Sequence, residues 1–353
     1  MIEEKILNDE FVLIAEIGVN YYDIAQKLKI SNMEAAKLMI REAKEAGIDA
    51  VKFQSYKANT ISVKDSPAYW DQNEEATSTQ FELFSKFDSF GENEYRELQL
   101  YCDEMGIEFL STAFDFSSAD YLDDLMSVYK ISSSDLNNIP FIEHQAKKGK
   151  MIILSTGASE LEEIKNAIRS IRKYNDKLIV LMHCVLEYPT PYEDANLRKI
   201  LTLKKEFPDL IIGYSDHTKP DGNYNVIKAA YLLGATVVEK HFTLDKTLKG
   251  NDHYHAMDPN DAKKIIQEIL FLNKICGDGT IHCLENEKIS RENARRSIVV
   301  VCDKKAGEKI FRKDLDFKRP GVGISPEKLP EVLGKKLNCN VRADTILKDE
   351  MIN

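Results

Sequence analysis

The sequence of 353 residues lacks paired cysteines, long apolar runs and a secretory signal. Its six cysteines never occur in a C-x-x-C spacing, which argues against a disulfide framework and against a zinc knuckle. No apolar stretch approaches the length needed to span a bilayer, so we expect no membrane partner. The first residues lack the basic and then apolar pattern of an exported protein, and we therefore expect a cytoplasmic location.

The sequence also lacks any excess of positive charge. Its formal net charge is −10 at pH 7, and lysine and arginine are not concentrated in any one segment. A nucleic acid is therefore not an expected partner, although small anions can still bind where a few basic side chains meet. A hydrophobic content of 43% is ample for a large core, and the length indicates one large domain and a smaller one.

Apolar segments typical of strands alternate with segments typical of helices over residues 1–280. Eight such strand and helix units in roughly 275 residues predict an α/β protein with a (β/α)8 barrel. The doubly wound alternative would place a glycine-rich phosphate turn after the first strand, but the run Glu16–Asn20 contains a single glycine. A long stretch from Ser55 to Glu92 has the composition of a loop, of the kind that forms a lid or is disordered.

The pattern of alternating strands and helices ends at residue 280. The polar segment 281–293 predicts a linker, and residues 294–353 contain a short β-rich run followed by the turn residues of Arg319–Ile324. This pattern predicts a small, loop-rich domain. Because a domain of this size buries little apolar surface, we expect it to dock on something larger.

The last two predicted strands of the barrel each end in a histidine, His217 and His241. The carboxyl ends of parallel barrel strands meet at one rim, so these imidazoles can share a divalent cation with Glu239 or Asp216 beside them. Alternatively, each histidine only forms a hydrogen bond with a neighbouring loop. The two strands taken alone leave both interpretations open.

Polar side chains end the other predicted strands as well. Two inward lysines with hydroxyl neighbours suit a ligand that carries both a phosphate and a carboxylate, whereas a single lysine would more often extend to solvent. Carboxylates at the same rim can orient sugar hydroxyls or move protons. The polar residues at the strand ends are Glu16, Lys52, Gln54, Thr112, Lys130, Ser133, Asp135, Ser155, Tyr188, Ser215, His217, Glu239 and His241.

Seven runs along the chain have a distinctive order and spacing. They are Ala15–Asn20, Val51–Gln54, Leu154–Gly157, His183–Cys184 with Tyr188–Pro191, Gly213–Thr218, Glu239–Thr243 and Arg319–Ile324. Over nearly the whole chain these runs resemble the sialic acid synthase family. The last run is similar to the C-terminal domain of that family, which resembles type III antifreeze proteins and is known as the antifreeze-like or SAF domain.

The resemblance implies an enzyme that condenses phosphoenolpyruvate with an N-acetylmannosamine-type amino sugar, giving a sialic (nonulosonic) acid and phosphate. It implies a divalent metal, usually Mn²⁺ with Mg²⁺ or Co²⁺ as alternatives, held by His217 and His241. The catalytic residues that it implies are Glu16, Asp135 and Glu239. Phosphoenolpyruvate would bind to Lys52, Gln54, Thr112, Lys130, Ser133 and Ser155. The sugar would bind to Tyr188, Ser215, Asp252 and Arg319.

The resemblance further implies a domain-swapped homodimer. In such a dimer, Arg319 of one chain would cap the barrel of the other and contact its sugar. The linker at 281–293 is long enough to permit the crossing.

Two positions depart from the family pattern and leave the acceptor sugar open. Asp135 stands where these synthases commonly have a glutamate, and Leu186 stands where an asparagine would offer a polar contact. A diacetamido-trideoxy hexose, the precursor of legionaminic or pseudaminic acid, is therefore the alternative acceptor.

Two other classes of function remain as alternatives. A metal-dependent aldolase acting on pyruvate would use the histidines but would leave Lys130 and Ser155 without a role. A non-catalytic carbohydrate-binding or ice-binding protein would leave the polar strand ends unexplained. Release of phosphate from phosphoenolpyruvate separates the synthase from both.

Overall fold

The computed structural model describes residues 2–250 and 252–353. Within this part of the chain, eight parallel strands pair in chain order, and the last pairs with the first to close a barrel. The predicted (β/α)8 class is therefore confirmed. The strands are β1 (Val12–Gly18), β2 (Ala50–Ser55), β3 (Glu108–Ala113), β4 (Val128–Ile131), β5 (Met151–Ser155), β6 (Ile179–Cys184), β7 (Ile211–Asp216) and β8 (Val237–His241).

Helices accompany the barrel strands. One of them, α3, begins with a capping box of the Ser31-x-x-Glu34 type, in which the Ser31 hydroxyl accepts from the Glu34 amide at 3.1 Å. The helices are α1 (Ile2–Leu7), α2 (Tyr21–Leu28), α3 (Asn32–Glu45), α4 (Ala58–Ile61), α5 (Gln80–Lys86), α6 (Glu92–Met105), α7 (Phe116–Tyr121), α8 (Ile139–Ala146), α9 (Leu161–Arg172), α10 (Lys199–Glu206), α11 (Asn225–Leu232) and α12 (Pro259–Cys276).

The stretch from Ser55 to Glu92 differs from the predicted plain loop. It contains α4 and α5, and α5 begins with a capping box between Thr79 and Glu82. Within the intervening segment the indole of Trp70 donates to the Glu75 carbonyl at 3.1 Å, and Lys86 of α5 forms an ion pair with the Glu75 carboxylate at 2.7 Å. The stretch is therefore an ordered excursion between β2 and β3.

Strand side chains alternate between two apolar layers. Val51 and Phe53 belong to the layer shared with the helices, whereas Ala50 and Val128 belong to a smaller cluster inside the barrel. Ile2 and Ile6 of α1 join this inner cluster, which places α1 against the barrel interior. The inner cluster fills the amino-terminal part of the barrel and leaves the carboxyl ends of the strands for polar side chains.

The C-terminal unit has an apolar core of its own, which includes Ile298 and Leu347. The chain divides into two compact units, the first ending at Ile275 and the second beginning at Cys276. The second unit contains the antiparallel strands β9 (Ser297–Val300), β10 (Leu315–Lys318) and β11 (Thr345–Ile346), in the order β10-β9-β11, with helices α13 (Lys288–Ala294) and α14 (Leu329–Val332). The segment interpreted as a linker thus contains most of α13.

No helix in the described residues combines the length and the apolar character that crossing a bilayer requires.

Candidate active site at the carboxyl ends of the strands

A cavity of about 370 Å³ lies among the carboxyl ends of the barrel strands. The alternation of the strands explains its polar lining, because each residue two positions beyond an inner apolar residue also points inward. The cavity brings together all the site residues that the sequence predicts within the barrel, namely Glu16, Lys52, Gln54, Thr112, Lys130, Ser133, Asp135, Ser155, Tyr188, Ser215, His217, Glu239, His241 and Asp252.

One side of the cavity carries the two lysines. Lys52 is 3% exposed, donates to the Thr112 hydroxyl at 3.1 Å and forms a close ion pair with Glu16. Its ammonium nitrogen also lies 3.7 Å from the Glu239 carboxylate. Burial alone would lower the pKa of Lys52, but these two carboxylates raise it above the usual value, so the side chain is charged.

The second lysine is held less tightly by opposite charge. Lys130 is 4% exposed, donates to the Ser155 hydroxyl at 2.8 Å and lies 3.6 Å from Glu239. Burial holds the pKa of Lys130 below its usual value. Next to it, the Ser133 hydroxyl accepts from the Gly157 amide at 2.9 Å. The lysines and hydroxyls together form a buried cationic corner that can bind an anion.

The carboxylates of this corner differ in their ionisation. Burial raises the pKa of Glu16 to about 7, although Lys52 opposes the shift. The Gln54 amide donates to Glu16 Oε1 at 2.7 Å. Burial would also raise the pKa of Glu239, but Lys130 and Lys52 more than offset it and lower the value. Near neutral pH, Glu16 can therefore give or accept a proton, while Glu239 is ionised.

Asp135 lies further along the same wall of the cavity. Burial raises the pKa of its carboxyl group, which accepts a hydrogen bond from the Asn138 amide at 3.2 Å.

The two predicted histidines lie near each other on the other side. Their ring centroids are 5.5 Å apart, and the Tyr188 ring packs against His217 at a centroid distance of 4.2 Å. His217 Nδ1 lies 2.7 Å from the Val185 carbonyl oxygen, a contact that fixes the ring and leaves Nε2 as the nitrogen for a ligand. The two imidazoles are therefore close enough to share a divalent cation, as the first interpretation of the strand ends requires.

A third histidine, His255, was missed by the sequence reasoning. It lies in the segment between β8 and α12, is fully buried, and its ring centroid is 4.9 Å from that of His241. Asp252 joins them, with Oδ2 at 3.7 Å from His241 Nδ1 and Oδ1 at 4.0 Å from His255 Nε2. The spacing Asp-x-x-His was the only signal in the sequence, and no strand pattern accompanied it.

These groups fit a divalent cation. One ligand atom from each of His241, Asp252 and His255 lies within 4.8 Å of the other two. Burial, reinforced by the neighbouring imidazoles, holds the pKa values of His241 and His255 well below the usual range, so both are neutral and can donate a lone pair. Two imidazoles and a carboxylate suit Mn²⁺ and similar first-row cations.

Asp216 does not take the position beside the histidines that the sequence suggested. Its carboxylate accepts from Lys240 Nζ at 2.7 Å and from the Thr218 hydroxyl at 2.8 Å, on the helix-facing side of the wall. The reason is the alternation of the strands, since the neighbour of an inward side chain points outward. Asp216 and Lys240 therefore connect β7 and β8 from behind the histidines.

Apolar and aromatic side chains line another part of the cavity, beside polar residues such as Asn20 and Thr60. Leu186 lies close to the turn after β5, because a β-carbon added at Gly157 would be 3.2 Å from that of Leu186. The other apolar and aromatic lining residues include Ile61, Tyr69, Leu83, Phe84 and Phe87, mostly from the excursion between β2 and β3.

Arg319, the remaining predicted sugar contact, lies in the C-terminal unit, where it is exposed. Its role therefore stays a prediction.

Comparison with known proteins identifies the family. The sequence profile of the NeuB family matches residues 39–281, and that of the SAF domain matches residues 295–353. The chain is 38% identical to the N,N'-diacetyllegionaminic acid synthase of Legionella pneumophila, over 96% of this chain and 94% of the relative. It is 37% identical to the enzyme of the same name from Campylobacter jejuni, over 96% and 99%.

A solved structure leads to the same family. The N-acetylneuraminic acid synthetase of Leptospira borgpetersenii superposes with a TM-score of 0.69 at 31% identity, covering 80% of this chain and 90% of the other. The resemblance noted in the sequence and the expectation of an enzyme are thereby confirmed. The barrel with its polar strand ends, the C-terminal domain and these matches together show that the chain belongs to the NeuB family and ends in a SAF domain.

Proposed function

We propose that this chain condenses phosphoenolpyruvate with the open-chain form of an N-acetylmannosamine-type amino sugar, giving a nonulosonic acid and phosphate. Carbon 3 of phosphoenolpyruvate forms a bond with the aldehyde carbon, whose oxygen takes up a proton and becomes a hydroxyl. Water then adds to carbon 2, the bond from carbon 2 to the phosphate oxygen breaks, and the loss of a proton leaves the keto group.

The observation that carries the proposal is the buried cationic corner. Phosphoenolpyruvate has a phosphate and a carboxylate on adjacent atoms, and Lys52 and Lys130 offer two desolvated ammonium groups for them. The hydroxyls of Thr112, Ser133 and Ser155 can donate further hydrogen bonds. A pyruvate aldolase would not need this second cationic partner.

The carboxylates supply the proton steps. Glu16, with its pKa raised to about 7, is partly protonated at neutral pH and can donate to the aldehyde oxygen as it becomes a hydroxyl. Glu239 is ionised between the two lysines and can accept a proton from the water that adds to carbon 2. Asp135, Tyr188, Ser215 and Asp252 orient the sugar.

His217 and His241 are the predicted holders of the divalent cation, for which the orphaned nitrogen of His241 is a fitting donor. When bound, the cation polarises the aldehyde carbonyl.

The test is an assay of phosphate release by the purified protein with phosphoenolpyruvate, Mn²⁺ and a panel of amino sugars. With ¹⁸O in the oxygen that bridges carbon 2 and phosphorus, the label should leave entirely with the phosphate. Sugar omission is the control. The proposal is contradicted if no sugar elicits phosphate release, or if the keto acid product, measured directly, forms from pyruvate as fast as from phosphoenolpyruvate.

For the acceptor, Leu186 favours the diacetamido-trideoxy hexose among these amino sugars. This sugar carries a methyl group where N-acetylmannosamine carries a hydroxymethyl, and the side chain of Leu186, which lines the cavity, offers the methyl group an apolar contact. The two relatives named N,N'-diacetyllegionaminic acid synthases support this choice. An apolar pocket discriminates against one added hydroxyl by up to about 100-fold.

A substitution tests the choice of acceptor. Leu186→Asn restores the residue of the sialic acid synthase pattern and should move the ratio of kcat/KM values towards N-acetylmannosamine by about 10-fold. Leu201→Asn, at an exposed position on α10, is the matched control and should leave the ratio unchanged. An unaltered ratio in Leu186→Asn would remove this residue from acceptor selection.

A further inference from the structure

His255 is a buried histidine whose ring nitrogens have no hydrogen-bond partner among the described residues. It is 0% exposed, and neither Nδ1 nor Nε2 has a hydrogen-bond partner among the described residues. Nδ1 of His241 also has none among them. Leaving one buried polar atom unsatisfied costs about 1 to 3 kcal/mol. Such atoms on two neighbouring imidazoles indicate a ligand, and one cation would satisfy Nδ1 of His241 and one of the two nitrogens of His255.

The backbone around His255 holds the ring in place. The Met257 amide donates to the His241 carbonyl at 2.8 Å, and the Thr243 amide donates to the Met257 carbonyl at 3.0 Å. His253, two residues before His255, is itself fixed, with Nδ1 at 2.7 Å from the Thr243 hydroxyl. These contacts tie the backbone on both sides of His255 to the end of β8.

The surroundings of His255 suit a cation better than a neutral hydrogen-bonding ligand. The rings of His241, Tyr188 and Tyr254 lie at centroid distances of 4.9, 5.7 and 5.2 Å, and the polar group that approaches Nε2 is the Asp252 carboxylate at 4.0 Å. Ligand atoms that share one cation at about 2.1 Å stand about 3 to 4 Å apart. Asp252 Oδ2 lies 3.7 Å from His241 Nδ1 and Asp252 Oδ1 lies 4.0 Å from His255 Nε2, so each imidazole is in this range of a different oxygen of the carboxylate.

We propose that His255 is a direct ligand of the divalent cation, which it binds together with His241 and the carboxylate of Asp252. The proposal deepens the function given above, which assigns the cation to His217 and His241. The site then has three ligands from the segment Val237–His255 alone, with His217 at its edge. A carboxylate in the set favours Mn²⁺ over softer cations.

The test is a titration of metal-free protein with Mn²⁺ alone, followed by calorimetry and by the nitrogen hyperfine couplings of the bound ion. His255→Ala should weaken Mn²⁺ binding by at least about 10-fold and remove the coupling of one imidazole. His255→Gln preserves much of the side-chain volume and should behave in the same way, which separates loss of a ligand from loss of packing. His282→Ala removes an exposed imidazole of the C-terminal unit and should change neither quantity.

Affinity within twofold of the unmodified protein together with unchanged nitrogen couplings in both His255 variants would overturn the proposal. Phosphate release measured in parallel separates it from the proposed function. A chain that loses Mn²⁺ affinity in these variants but never releases phosphate from phosphoenolpyruvate would contradict the function and support the ligand. Phosphate release by the unmodified protein together with full Mn²⁺ affinity in both His255 variants would support the function and contradict the ligand.

Discussion

Replacing the two buried lysines by alanine should affect the binding of phosphoenolpyruvate unequally. Each substitution removes one ammonium group, but the neighbouring carboxylates respond differently. Without Lys52, Glu16 loses its close ion pair, and because its pKa is about 7 its ionised fraction takes up a proton, which offsets part of the lost positive charge. Without Lys130, Glu239 keeps Lys52 at 3.7 Å and stays ionised, so the corner loses a full positive charge.

The magnitudes follow from the burial of the lysines. Truncating a desolvated partner in a charge pair costs about 2 to 5 kcal/mol, which is a loss of affinity of about 30-fold to about 5,000-fold. Lys130→Ala should fall near the upper end, since the anion loses a cation that is not replaced. Lys52→Ala should fall near the lower end, since proton uptake by Glu16 compensates for part of the charge.

Calorimetry with phosphoenolpyruvate in the absence of sugar measures both effects. Lys263→Ala, at an exposed position of α12, is the control and should bind like the unmodified protein. Titrations in two buffers of different ionisation enthalpy should also reveal proton uptake in the unmodified protein that disappears in a Glu16→Gln variant. Equal losses in the two lysine variants would refute the argument from charge compensation, and no loss in either would remove the anion from this corner.

Three further predictions concern the same cavity. The affinity of the unmodified protein for phosphoenolpyruvate should fall by up to about 25-fold from about pH 7.5 to about pH 9, because Glu16 with its pKa near 7 becomes negative and repels the anion, whereas Glu16→Gln should lack this decrease. Burial would raise the pKa of Cys184, but the neighbouring imidazole and ammonium groups lower it, whereas burial raises the pKa of Cys102. Iodoacetamide should therefore modify Cys184 before Cys102, and bound phosphoenolpyruvate should protect Cys184. Mass spectrometry of the peptides measures the extent of modification at each cysteine. If Arg319 acts in the barrel of a partner chain, subunit exchange between the inactive variants His241→Ala and Arg319→Ala should restore part of the activity, and exchange without recovery would exclude this role.

The barrel could be predicted from the sequence because its strands are buried and regular. The apolar runs that end in His217 and His241 predicted β7 and β8 to within a few residues, and the alternation around Lys52 and Gln54 predicted which side chains enter the cavity. A strand period of two residues converts a linear pattern directly into a facing direction. The polar strand ends were therefore the predictable part of the site.

The parts that the sequence did not predict depend on tertiary contacts. His255 follows no strand or helix pattern, and its position comes from the hydrogen bonds that tie Met257 to β8. Asp216 was expected beside the histidines, but the pairing with Lys240 across two strands carries it to the outer face. The order within the excursion between β2 and β3 rests on local caps and on the Trp70 contact, which composition alone did not indicate.

Closure of the barrel interior by α1 has a consequence for the order of the reaction. Lys52 and Lys130 are two residues beyond Ala50 and Val128 of the inner apolar cluster, whereas His241 is four residues beyond Val237 of the same cluster. At about 3.3 Å per residue, the cationic corner therefore lies deeper in the barrel than the histidines. Because both substrates enter from the carboxyl ends of the strands, the substrate of the cationic corner must bind before the sugar blocks its path. We expect steady-state kinetics of compulsory order, with phosphoenolpyruvate entering first and an unreactive sugar analogue competing only for the complex that already holds it.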